Sequence, residues 1–79
     1  MHVRVKLLGT LPSAYRHSYL AAGLDLDIPA GSTVSDLVDL LGLSRERVGV
    51  VTINDVLAKA DAPVPEHGLV KMMQMLAGG

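Results

Sequence analysis

Apolar and polar residues alternate from the start of the chain: Val3, Val5 and Leu7 are interleaved with His2, Arg4 and Lys6. A period of two is what a strand with one face in a core and one in water requires, so residues 2–8 are predicted as a strand. Gly9, Pro12 and Ser13 break the pattern, and residues 9–23 read as a connection with a helical turn expected around Ala14–Leu20. Leu24-Asp25-Leu26-Asp27-Ile28 alternates again and ends at Pro29, after which Gly31 supplies a turn.

The period then changes. Val34, Leu37, Val38 and Leu41 recur at helical spacing and make one apolar stripe. Thr33-Val34-Ser35-Asp36 has the capping-box pattern, Asp36 suits the positive end of the helix dipole, and Gly42 suits a left-handed C-terminal cap. Residues 34–41 are therefore predicted as a helix. Ser44–Arg47 reads as a polar turn, Val48–Ile53 as a strand, Asn54-Asp55 as a turn and Val56–Lys59 as a short return strand. Pro63, Pro65 and Gly68 punctuate the approach to a last strand over Leu69–Leu76.

One amphipathic helix can cover one face of a sheet of four or five strands. The inner face is expected from Val3, Val5, Leu7, Leu24, Leu26, Ile28, Val70 and Met72. A helix-bearing link between the opening hairpin and the later strands permits the first and last strands to pair in parallel. The expected fold class is α+β: a β-grasp with a mixed sheet and one main helix on one face.

Composition narrows the chemistry. The 79 residues suffice for a single domain, 1–79, and 49% of them are apolar, enough for a packed core. With two Tyr, no Phe and no Trp, that core must be aliphatic and methionine-rich. A net charge of −1 with scattered cations gives no basic stripe, so no nucleic-acid partner is expected. No apolar run approaches the ~18 residues of a membrane span, and the charged opening lacks a signal-peptide block; no membrane partner is expected, and the cytoplasm is the expected compartment. Cysteine is absent, which excludes disulfides, thiolate metal sites and a cysteine nucleophile. His2, His17 and His67 are too scattered to read as a metal site.

Taken together, Val3–Gly9, Ile28-Pro29-Ala30-Gly31-Ser32-Thr33-Val34, Leu37, Leu41, Val51-Thr52-Ile53-Asn54 and the tail Leu76-Ala77-Gly78-Gly79 carry a resemblance. The chain resembles the ubiquitin-like sulfur carriers typified by the small subunit of molybdopterin synthase and the thiamine sulfur carrier. The most specific element is the diglycine directly after the last strand. Asn54-Asp55 stands where the family often has Asn-Gly, and Glu66-His67-Gly68 where it often has Asp-Gly-Asp.

The resemblance implies that an E1-like adenylating enzyme, using Mg-ATP, attaches AMP to the carboxylate of Gly79. Sulfur then displaces AMP and leaves a thiocarboxylate. The chain itself is implied to be a donor rather than an enzyme and to hold no permanent cofactor. Without side chains, Gly78 and Gly79 can take backbone angles closed to other residues and enter a narrow channel. Residues 76–79 reach at most roughly 13 Å when extended. The expected site is therefore Gly79 as acceptor, with Gly78, Ala77 and Leu76 threading into the partner as a flexible tail.

Met73 and Met75 should face outward beside that tail, where adaptable thioether side chains suit either a partner surface or gap-filling at the sheet rim. Arg4, Lys6 and Lys71 share the outer face, as a weak basic patch or as a plain solvated surface. Among pathways, the Leu7-Leu8-Gly9-Thr10-Leu11 opening and the long 9–23 connection favour molybdopterin or tungstopterin synthesis, with the large subunit of the synthase as sulfur acceptor. Thiamine thiazole synthesis and attachment of Gly79 to protein lysines are the alternatives within the family. A ubiquitin-like interaction domain without terminal chemistry is the alternative of another class.

Overall fold

Seven elements follow one another along the chain: β1 (His2–Leu7), α1 (Leu11–Ala14), β2 (Leu24–Asp27), α2 (Val34–Leu40), β3 (Val48–Ile53), β4 (Val56–Ala58) and β5 (Leu69–Gln74). The structure, a computed structural model, describes residues 1–15, 17–19 and 22–74. The strands form one sheet in the order β2-β1-β5-β3-β4. β1 and β5 are parallel at its centre, with Val5 opposite Val70 and Leu7 opposite Met72. β2 pairs antiparallel with β1, and β3 pairs antiparallel with both β4 and β5. With α2 packed on one face, this is the ubiquitin-like β-grasp.

The alternation in β1 becomes a division between core and water: Val3, Val5 and Leu7 are buried, and His2 and Arg4 are exposed. Val70 and Met72 continue the same inner face on β5, and Val34, Leu37, Val38 and Leu41 close over it. The capping box on α2 is complete: Asp36 N donates to Thr33 Oγ1 at 3.2 Å, and Thr33 N donates to Asp36 Oδ2 at 3.0 Å. Val34 N and Ser35 N donate to the carbonyls of Ala62 and Ala60, so the loop before β5 supplies further partners to the helix start. Leu41 caps the other end, and Gly42 turns the chain away at φ +72°.

The long first connection departs from expectation. Its helical turn spans Leu11–Ala14 rather than Ala14–Leu20, and Tyr15 already has an extended backbone. Pro12 stands in the first turn, where a fixed φ favours helix and no amide partner is needed. Leu11 is buried and anchors the turn. The Asn54-Asp55 turn has φ of +51° and +68°, as a two-residue hairpin of type I′ requires. Asp55 thus takes the left-handed position that glycine often fills.

Candidate functional site

The site expected from the sequence begins where β5 ends. As the central strand, β5 is bonded on both sides: Leu8 N donates to Met72 O at 2.9 Å on the β1 side, and Gln74 pairs with Val48 on the β3 side. The β3 register shifts between Val48 and Val50, which lets the two strands stay together at their ends. Gln74 is also tied to the β1–α1 connection, its Oε1 accepting from Thr10 N at 3.3 Å. Gly9, at φ +66°, turns the chain after β1 towards that contact. The course of β5 is thereby held as far as Gln74.

Of the expected site residues, Met73 lies within the described part. It is 39% exposed, on the sheet face away from α2, as its place in the alternation predicts. Met75, Leu76, Ala77, Gly78 and Gly79 lie outside the described residues. The structure adds a neighbour that sequence reading passed over: Leu8, 37% exposed, continues the β1 register to the position beside Met73. Val50, half-buried, stands opposite Met73 on the other side. Leu8, just past the end of β1, therefore stands with Met73 of β5 and Val50 of β3 along one apolar rim at the exit of β5. The signal for Leu8 was present, since a leucine directly after inward-facing Leu7 must point outward.

The remainder of the outer face is charged and largely paired. Arg4 reaches Asp25 through two contacts, Nε–Oδ1 at 3.0 Å and a second nitrogen to Oδ2 at 3.3 Å. The hydrogen bond from Arg4 holds the Asp25 carboxyl below its ordinary range. Lys71 Nζ lies 2.9 Å from Asp55 Oδ1. Of the cations expected on this face, Arg4 and Lys71 thus have carboxylate partners, and among the described residues the face is a solvated, internally paired surface rather than a basic patch. His2 and His67, distant in sequence, have ring centroids 6.1 Å apart. Among the described residues, no group of three or more His, Cys, Asp or Glu side chains could hold a metal ion. No helix among them is long and apolar enough to cross a membrane.

No protein-family model matches the chain, and no curated protein matches it. Solved structures do. SAMP1 from Haloferax volcanii superposes with a TM-score of 0.74 over 100% of both chains, at 18% sequence identity. A Pyrococcus furiosus protein assigned as molybdopterin converting factor, subunit 1, gives 0.73 at 16% identity, covering 95% of this chain and 98% of that one. A further crystal structure of H. volcanii small archaeal modifier protein 1 gives 0.71 at 16% identity over the same shares. The chain therefore has the ubiquitin-like β-grasp fold that its resemblance to the sulfur carriers implied, along essentially the full length of these proteins.

Proposed function

We propose that this chain is a ubiquitin-like sulfur carrier working through the carboxylate of Gly79. A carboxylate is a poor electrophile until a good leaving group is attached. An E1-like enzyme transfers AMP to it from Mg-ATP with release of pyrophosphate, and a sulfide nucleophile then expels AMP to give the thiocarboxylate. The recipient is the large subunit of a molybdopterin or tungstopterin synthase, into which residues 76–79 carry the sulfur. The chain is the donor, and Mg-ATP belongs to the activating enzyme.

The observation that carries this reading is the clamped end of β5 beside an exposed apolar rim. Residues 75–79 follow directly on this held point, and an extended segment of that length reaches at most roughly 17 Å. The apolar rim offers a partner something to grip while the tail enters its site. The absence of cysteine leaves the carboxylate of Gly79 as the carrier group.

Likeness to SAMP1, a small archaeal modifier protein, favours a second reading in which the same activated Gly79 is joined to lysines of other proteins. The two readings share the adenylate and diverge after it. The test is ATP–pyrophosphate exchange by the activating enzyme, which reports adenylation alone. The intact chain should support exchange, whereas deletion of Gly79, or one residue added beyond it, should abolish exchange with the circular dichroism spectrum unchanged. Gly78→Val should reduce it, because a β-branched side chain stiffens and widens the tail. No exchange from the intact chain would leave the interaction domain without terminal chemistry as the surviving account, and undiminished exchange by the deletion variant would take the acceptor role from Gly79.

A further inference from the structure

His2, His17 and His67 are spread along the sequence, but the parallel pairing of β1 and β5 unites two of them. With Arg4 opposite Leu69, the same register carried back two residues sets His2 beside His67. Backbone hydrogen bonds hold that extension: His67 N donates to His2 O at 2.7 Å, and Arg4 N donates to Gly68 O at 3.0 Å. Residues 67, 69, 71 and 73 alternate with the buried Gly68, Val70 and Met72, so His67 shares the outer face with His2. The ring centroids are 6.1 Å apart, with the planes tilted by 53°.

Neighbouring strands run about 4.8 Å apart, so side chains at facing positions can share one small ligand. Two imidazoles on a single zinc ion each place a nitrogen about 2.0–2.1 Å from it, which leaves the ring centres about 5–6 Å apart. Side-chain rotation alone therefore brings these rings into a common coordination shell. The backbone beneath them is already set, since His67, at φ +60°, sits in a turn that Gly68 N closes on Pro65 O at 3.1 Å. Carboxylates stand on the other side of His2: Asp25 Oδ1 is 3.7 Å from His2 Nε2, and Asp27 faces His2 across the β1–β2 pair. Arg4 engages Asp25, and the amino group of Met1 engages Asp27 at 2.9 Å, so the imidazoles are the donors on offer. A carboxylate behind one ring nitrogen orients a histidine and raises the basicity of the nitrogen that binds metal. Asp25 stands in that place at Nε2, which leaves Nδ1 of His2 for the ion.

We propose that His2 and His67 form a two-imidazole site for a divalent transition-metal ion of the zinc class, with water completing its coordination. Imidazole nitrogen suits zinc, copper and nickel, whereas magnesium and calcium seek oxygen ligands. The pair lies where β1 and β5 begin, and Gln74 lies where β5 ends. Metal binding here is therefore separate from the tail and does not rest on the carrier reading.

Calorimetric titration of the intact, untagged chain with Zn2+ tests this. With two protein ligands, the dissociation constant should fall in the range of roughly 10 μM to 1 mM. Cu2+ should bind more tightly than Zn2+, and Mg2+ should not compete. His2→Gln or His67→Asn should weaken Zn2+ binding by at least about tenfold. Asparagine tolerates the left-handed backbone at 67, and both residues are exposed, so neither change should move the melting temperature of the metal-free chain. His17→Gln, whose ring meets Tyr15 instead, should alter nothing. In nitrogen-15 spectra of the imidazoles, Zn2+ should shift the signals of His2 and His67 and leave that of His17 in place. No heat and no shifted signal at Zn2+ concentrations up to about 1 mM overturns the proposal. So does binding that survives both His2→Gln and His67→Asn, or binding that His17→Gln removes.

Discussion

Leu37 sits fully buried in the stripe by which α2 meets the sheet. Its backbone is fixed by helix bonds at both ends, so the surroundings can close only partly on a truncated side chain. Leu37→Ala should cost about 2–5 kcal/mol, read as a lowered midpoint in thermal or denaturant unfolding. In a domain this small, such a loss is a large part of the total stability. Met73 presents the opposite case. It is exposed beside Leu8 at the exit of β5, so Met73→Asp should leave the melting temperature almost unchanged while weakening the complex with the activating enzyme several-fold. Unchanged binding with lowered stability would instead assign the side chain to the core.

At the scale of elements, the start of α2 is the clearest test of local coding. Thr33→Ala removes the hydroxyl that accepts from Asp36 N and should destabilise the fold by about 0.5–2 kcal/mol. Thr33→Ser should recover most of that loss, and an equal loss in both variants would mean the cap contributes nothing. The capping box, the helical stripe and the alternation of β1 were all legible because each repeats a local rule along the chain. The turn at Leu11–Ala14 was not, since Pro12 breaks helix interiors but favours helix starts, and only the burial of Leu11 decides between them. Leu43 and Val64 are buried from loops, where no periodicity marks them. The neighbouring rings of His2 and His67 depend on the β5 approach folding back against β1, with His67 N donating to His2 O at 2.7 Å. For the site, the sequence pattern gave Met73 its direction, while the rim it shares with Leu8 and Val50 appeared only with the strand order.

For the molecule as a whole, surface carboxylates set the response to acid. The hydrogen bonds from Arg4 and Arg45 lower the pKa of Asp25 and Asp39. A carboxylate with a folded-state pKa below its unfolded value contributes stability above the unfolded value, and loses it as pH falls through the folded one. The melting temperature should therefore be nearly flat from pH 8 to pH 5, and fall once the pH drops below the ordinary carboxylate value of 3.8. Both groups are exposed, so the decline should be shallow, and Asp39→Asn should make it shallower still. A steep loss above pH 5 would point to groups other than these carboxylates.

On the function proposed, the fold presents one carboxylate, at Gly79, for conversion to a thiocarboxylate. Intact-mass spectrometry of the chain, after incubation with an E1-like activating enzyme, Mg-ATP and a sulfide source, decides this. The mass should rise by the replacement of one oxygen by sulfur, located by fragmentation to Gly79 and absent when ATP is omitted. An unchanged mass from an enzyme that thiolates a known carrier in the same reaction, or sulfur found on any other residue, would contradict it.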